Sequence, residues 1–185
     1  MTGARKQTVP VSGARQFLEP GPVILISSLH DGRANIMTAG WHQILEFTPS
    51  LVSCLISNGN HSFEMIRESR ECVINVPTTV LTDTVVSIGN TSGANIDKFD
   101  HFGLTRVDSS LVAAPSIGEC YANLECRLHD DALVDRYNLF IFEVVGIQAV
   151  ISPRYPQTLH YRGDGEFMLS GKTVSRRHLF RPEML

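Results

Sequence analysis

Short blocks of apolar and polar positions, separated by turn residues, run along most of this chain, and their periods predict strands more often than helices. Val23 to Leu29 is apolar and β-branched, and it ends in His30-Asp31-Gly32-Arg33, whose Asp-Gly pair suits the positive φ of a tight hairpin turn. The return strand runs from Ala34 to Ala39, a third strand covers Leu51 to Ser57, and a fourth covers Glu71 to Val76. Between the last two, His61 to Glu68 is long enough for two helical turns with Phe63 and Ile66 on one face. Thr79 to Gly89 reads as a helix, because Leu81, Val85 and Ile88 recur at helical spacing, Thr78 or Thr79 can cap the start, and Gly89 is placed to end it. From Glu119 to His129 the alternation puts Cys120, Ala122, Leu124, Cys126 and Leu128 on one face and polar residues on the other, the pattern of a half-buried antiparallel strand. Asn138 to Ile151 is largely apolar on both faces, so it should meet the core on one side and another layer or subunit on the other. Many strands, two short helices and no regular βαβ alternation indicate a mainly β fold, a closed or nearly closed antiparallel barrel.

Composition changes this picture little. A length of 185 residues suits a single domain over 1–185, with 1–20 as an N-terminal arm that packs late or frays and 170–185 as a C-terminal tail. Apolar residues make up 43% and charged residues 19%, and no uninterrupted apolar run approaches the roughly 20 residues of a membrane span. The start is basic but lacks an apolar h-region, so the expectation is a cytoplasmic protein with no membrane partner. Net charge is −3 with scattered basic residues, so no nucleic-acid partner is expected. The four cysteines form no C-x-x-C pair and sit in apolar or alternating stretches, as small core residues do. The seven histidines are isolated, without the short spacings of a metal site, and no metal is expected. Dinucleotide, P-loop, nucleophile-elbow and H-E-x-x-H motifs are absent.

Candidate chemistry begins in Asn35-Ile36-Met37-Thr38-Ala39-Gly40-Trp41. Backbone amides, the Asn35 amide, the Thr38 hydroxyl and the Trp41 indole N–H form a donor set suited to an anionic or heteroaromatic ligand. The plainer reading of the same residues is a turn around one buried tryptophan. Ser57-Asn58-Gly59-Asn60-His61-Ser62 leads from a strand into a helix, where free amides and the Ser62 hydroxyl suit a phosphate, or simply cap the helix. Thr91 to Phe99 is a polar loop in which Lys98 offers a point charge to a phosphate, or is merely solvated.

Taken in order, N-x-M-T-x-x-W, N-H-S-F before a helix, S-G-x-x-x-D-K-F-x-x-x-G-L-T, P-x-I-x-E-x-x-A-x-L-E-C and R-Y-N-L-F-I-F-E-V-V resemble the flavin reductase-like family, in its flavoredoxin-like branch. The match runs from about Gly21 to Met168. The resemblance implies a homodimeric, six-stranded antiparallel Greek-key split barrel with short helices that holds FMN non-covalently. By motif, Asn35, Thr38 and Trp41 correspond to positions near the flavin and its phosphate, and Ser62 and Lys98 to phosphate-binding positions. Met37, Ala39, Gly40, Ile56, Ser57, Asn60 and His61 flank them and would line the site. The chain departs from many relatives at Asn60, where they carry arginine, which shifts the phosphate charge toward Lys98. Asp135-Arg136-Tyr137 stands where related two-component reductases carry G-D-H.

The activity implied is an FMN oxidoreductase, a flavin reductase that takes hydride from NADH or NADPH as cosubstrate and passes electrons to an acceptor or a redox partner protein. The alternative is a flavoredoxin-like FMN electron carrier without direct NAD(P)H activity, and a third reading is a barrel that has lost flavin and serves as a binding domain. In the first two the cofactor carries the chemistry, so no catalytic side chain is named.

Overall fold

The computed structural model describes residues 5–184. The six strands read from the sequence are present as β2 (Ile24–His30), β3 (Arg33–Ala39), β5 (Leu51–Leu55), β6 (Glu71–Val76), β9 (Ala122–Asp130) and β10 (Leu139–Ala149). Two more extend the same sheet: β1 (Gln7–Thr8), paired with β10, and β4 (His42–Glu46), paired with β5. The strand order is β3-β2-β6-β9-β10-β5-β4, and every pair is antiparallel. Strands β3 and β4 are consecutive in the chain but sit at opposite ends of this order. The sheet is therefore an unclosed, split barrel. Two register shifts between β9 and β10 leave unpaired residues that let the long β10 bend with the curved sheet. The β2–β3 turn is the one its Asp-Gly pair predicts, with Asp31 at φ 49° and Gly32 at φ 72°.

Helices close the faces. The interior gathers Ile24, Ile26, Val52, Ile74, Leu124, Phe140 and Phe142, with Leu18 from α1 (Arg15–Leu18) and Phe63 and Ile66 from α2 (His61–Ser69). Phe63 meets Phe140 edge-on at 5.2 Å between ring centroids. A second cluster lies on the opposite face of β2 and β3. There Leu25 and Ile36 meet Val85 and Ile88 of α3 (Thr82–Gly89) and Phe99 of α4 (Lys98–His101). The pairs β7 (Arg106–Val107) with β8 (Ser116–Ile117) and β11 (Leu159–Gly163) with β12 (Glu166–Leu169) lie outside the main sheet, and α5 (Val134–Tyr137) precedes β10. No described helix is long and apolar enough to cross a membrane.

Four expectations are corrected here. The N-terminal arm does not fray within its described part: β1 adds to the sheet, and Ala14 and Leu18 are fully buried, because the open end of the barrel needs apolar side chains to cover it. The stretch after Trp41, where the pattern predicts no strand, forms β4, an edge strand with its own register shift that obscures the alternation. Strand β9 is not half-buried. Asn123 and Glu125 on its polar face are each 2% exposed, because residues 108–117 fold over them. The Glu125 carboxylate accepts from the Ser110 and Leu111 amides, and the Asn123 side-chain amide donates to Asn75 Oδ1 and Ile117 O, so each polar group is satisfied as burial requires. Finally, the helix expected over Thr79 to Gly89 is present, as a 3-10 turn over Thr79–Leu81 that runs into α3 and ends at Gly89, but the expected side-chain cap is not: Thr78 stands at the N-cap without a side-chain bond. All four cysteines are free and buried, and burial pushes the Cys54, Cys72 and Cys120 thiols up, as core residues rather than reactive ones. The tail after β12 makes two short 3-10 turns and is otherwise irregular and almost wholly exposed as far as Met184; Leu185 lies outside the described residues.

Candidate functional site

Three elements converge beside the free edge of β3. On one side α2 begins, and its N-cap Asn60 makes no side-chain cap bond. On the other, α3 ends and the chain turns through Asn90, Thr91, Ser92 and Gly93 before entering α4. Between them lies a polar cleft of about 410 Å³, lined by Asn35, Gly59, Asn60, His61, Gly89, Asn90, Thr91, Ser92, Gly93 and Lys98. None of these residues is a carboxylate, and Lys98 is the one lysine or arginine among them.

Lys98 is placed by local rules. Asp97 caps α4, accepting from the Phe99 and Asp100 amides at 2.9 and 3.3 Å, which makes Lys98 the first residue of the helix. Phe99 is anchored in the second core cluster, so Lys98 turns inward and is only 3% exposed. Its ammonium donates to Ile36 O at 2.8 Å and to Ile88 O at 3.0 Å. Burial holds its pKa down at about 8. The expectation of an exposed loop charge is corrected: Lys98 is a buried cation joining β3 to the end of α3 while lining the cleft.

The bond to Ile36 O also shows which way β3 faces. In an antiparallel edge strand alternate residues direct both backbone groups outward, so Ile36 and Thr38 present theirs on the free edge. Asn35 is 2% exposed and donates from Nδ2 to Ser62 Oγ at 2.9 Å, which ties the strand to α2. Its Oδ1 is buried and has no partner among the described residues. Such an acceptor is costly unless a donor reaches it. Gly93 packs so tightly on Asn35 that a Cβ there would fall 1.9 Å from Oδ1.

Of the residues singled out in the sequence, Asn35, Asn60, His61 and Lys98 line the cleft, and Ser62 stands behind Asn35 as its hydrogen-bond partner. The others lie elsewhere. Thr38 spends its hydroxyl on Val85 O at 2.7 Å. Met37, Ala39 and Ile56 face the barrel core, so their side chains do not line the cleft. Ser57 is exposed in the turn before α2, where its hydroxyl accepts from the Gly59 amide. Gly40 and Trp41 lie at the split between β3 and β4. Trp41 is 72% exposed, which corrects the reading of a buried tryptophan: the strand crossing there leaves no layer above it in this chain. Gly59, Gly89, Asn90, Thr91, Ser92 and Gly93 complete the lining. The glycine and hydroxyl content of 89–93 was their signal, but only the fold brings that loop opposite Asn60.

A family model described as "Flavin reductase like domain" matches residues 17–167. An uncharacterized protein of Archaeoglobus fulgidus is 37% identical over 132 residues, 71% of this chain and 74% of that one. The uncharacterized protein YddH of Escherichia coli is 31% identical over 176 residues, covering 88% and 93%. Among solved structures, an FMN-binding domain of a flavin reductases-like enzyme from Shewanella baltica superposes with a TM-score of 0.87 at 26% identity, covering 95% of this chain and 99% of that one. The flavoredoxin of Desulfovibrio vulgaris superposes at 0.77 with 23% identity over 86% and 91%, a likeness of fold.

Proposed function

Because this chain belongs to the flavin reductase-like domain family, we propose that it binds FMN in the cleft beside β3 and works as an NAD(P)H-dependent FMN oxidoreductase. The observation that carries this reading is the cleft's donor set: a buried lysine, a helix start with unbonded amides and no carboxylate in the lining. Those groups fit a phosphate monoester, and the orphaned Asn35 Oδ1 fits a sugar-alcohol hydroxyl. Bound FMN would supply the redox chemistry, accepting hydride equivalents from a nicotinamide.

The chain's own residues then have defined tasks. Lys98, held by Ile36 O, and the His61 and Ser62 amides hold the phosphate, and the Ile36 N–H with the outward backbone groups of Thr38 offer a hydrogen-bonding edge to a planar heterocycle. Asn35 and Ser62 keep β3 and α2 in fixed relation. No side chain is assigned as acid or base. The test is an anaerobic absorbance spectrum with FMN, before and after NADH or NADPH. Bleaching of bound flavin is the expected outcome; bound flavin that stays oxidised favours the electron carrier, and no binding of flavin overturns the reading.

A homodimer belongs to the same proposal. Trp41, Leu45 and Phe47, 72%, 41% and 52% exposed, cluster in and around edge strand β4, and an apolar sheet edge of this kind calls for cover. Light scattering is expected to return twice the mass of the chain; a monomer mass at micromolar concentration sinks the assignment.

A further inference from the structure

The segment after β12 is built unlike the rest of the chain. Ser170 bonds back to Thr158, but every residue from Gly171 to Met184 is exposed, and among the described residues this segment's hydrogen bonds run only within itself. Yet it carries Val174, Leu179, Phe180 and Met184, each more than half exposed. Apolar side chains left in water by a segment with two 3-10 turns of its own gain free energy from a surface that covers them. The segment is also basic. It holds Lys172, Arg176, Arg177 and Arg181 against one acid, Glu183, which pairs with Arg181 at 3.5 Å.

A surface of matching character lies between α1 and β4. There a groove of about 520 Å³ has Leu18, Ile44, Leu45 and Phe47 in its lining, together with the carboxylates Glu19 and Glu46. No lysine or arginine lines it, and neither carboxylate forms an ion pair among the described residues. Arg15, on α1, lies over the Phe47 ring at 5.2 Å. An apolar floor with acidic groups beside it complements a strip of apolar residues interspersed with arginines. The groove is continuous with the exposed Leu45 and Phe47 of edge strand β4, the surface assigned above to the homodimer.

We propose that residues 171–184 of one copy dock in the groove between α1 and β4 of a second copy, so that the two copies exchange these segments. The inference rests on the homodimer of the preceding reading. Fourteen residues reach up to about 46 Å when extended, against a radius of gyration of about 16 Å for a domain of this length, so the segment can cross to a neighbour even with its two turns. A two-fold axis makes the same pair of surfaces meet twice, which covers both segments and both grooves at once. Leu179 and Phe180 supply the apolar contact, and the arginines around them face Glu19 and Glu46.

The test co-expresses two full chains with different affinity tags, one carrying Gln43→Cys in the groove lining and the other Leu179→Cys in the segment. All four native cysteines are buried, so a short bismaleimide reacts at the introduced thiols. The expected product joins position 43 of one tagged chain to position 179 of the other, as read by peptide mass spectrometry. Trypsin cleavage after Arg176 and Arg177 should also run about fivefold faster in the Glu19→Gln, Glu46→Gln double variant than in the unaltered chain, as for loss of two exposed ion pairs. A dimer mass by light scattering with no such link, a link formed only inside a single chain that carries both substitutions, or a cleavage rate indifferent to the two carboxylates overturns the exchange while the homodimer stands. A monomer mass overturns both.

Discussion

Lys98→Ala is expected to lower FMN affinity by about ten- to a hundredfold and to cost about 1–3 kcal/mol of stability in the flavin-free protein. Both effects follow from one position. The ammonium is 3% exposed and bonded to Ile36 O and Ile88 O, so its removal takes a charge-assisted donor from the ligand and leaves Ile36 O without its donor, while Ile88 O keeps only the longer bond from the Thr91 amide at 3.3 Å. Relief of the cost of burying the charge offsets part of this, and the orphaned Ile36 carbonyl with the weakened hold on the end of α3 outweighs it. Fluorescence titration and urea unfolding measure the two losses separately; a variant with unchanged stability would mean that the lysine does not bridge β3 and α3.

The same residue predicts two pH dependences of opposite sign. Its folded pKa, about 8, lies below the value of about 10.4 for an unfolded chain. Between these values the unfolded state binds more protons, so stability of the flavin-free protein should rise with pH across that window. Below about 8 the ammonium is charged in both states and the cost of burying it is fully present. Affinity for FMN should move the other way, falling as pH rises above about 8 and the amine loses its charge. Lys98→Ala should flatten both slopes. An affinity that stays level across this range removes the lysine from the phosphate site.

Gly93→Ala is the second large effect. Its Cβ would lie 1.9 Å from Asn35 Oδ1 and 2.5 Å from Asn35 Cγ, and Asn35 cannot retreat because it is buried and tied to Ser62. Either the 91–95 loop moves outward or the Asn35–Ser62 bond breaks. Overpacking of this kind costs about 1–3 kcal/mol. Because both yielding parts belong to the cleft, FMN affinity should fall at least about tenfold with it. Gly59→Ala is the control for stability, since its Cβ meets only Ser57 Oγ at an ordinary 3.7 Å. Equal melting temperatures for Gly93→Ala and the unaltered chain would show that the loop accommodates the methyl group.

Much of the fold is legible in local patterns. The period-two runs locate six strands, the Asp-Gly pair sets the first hairpin, and helical spacing places Phe63, Ile66, Val85 and Ile88 on buried faces. These features depend on neighbours in the chain, so they survive reading one residue at a time. Strand β4 was not legible, because an edge strand buries neither face fully and its register shift breaks the alternation. The covered face of β9 was not legible either: Asn123 and Glu125 look like solvent-facing residues until partners far along the chain satisfy them.

The site divides along the same line. The sequence by itself determined which residue types could serve a phosphate: Asn35, Asn60, His61, Ser62 and Lys98 stand in motifs whose donors and charge are chemical properties of the side chains. Only the tertiary structure decided how they are used. It buried Lys98 and gave it two carbonyl partners, spent the Thr38 hydroxyl on α3, turned Met37, Ala39 and Ile56 into the barrel and left Trp41 on the surface. The physical reason is that a strand's alternation assigns side chains to two faces, whereas which face meets a core, a helix end or solvent is settled by segments distant in sequence.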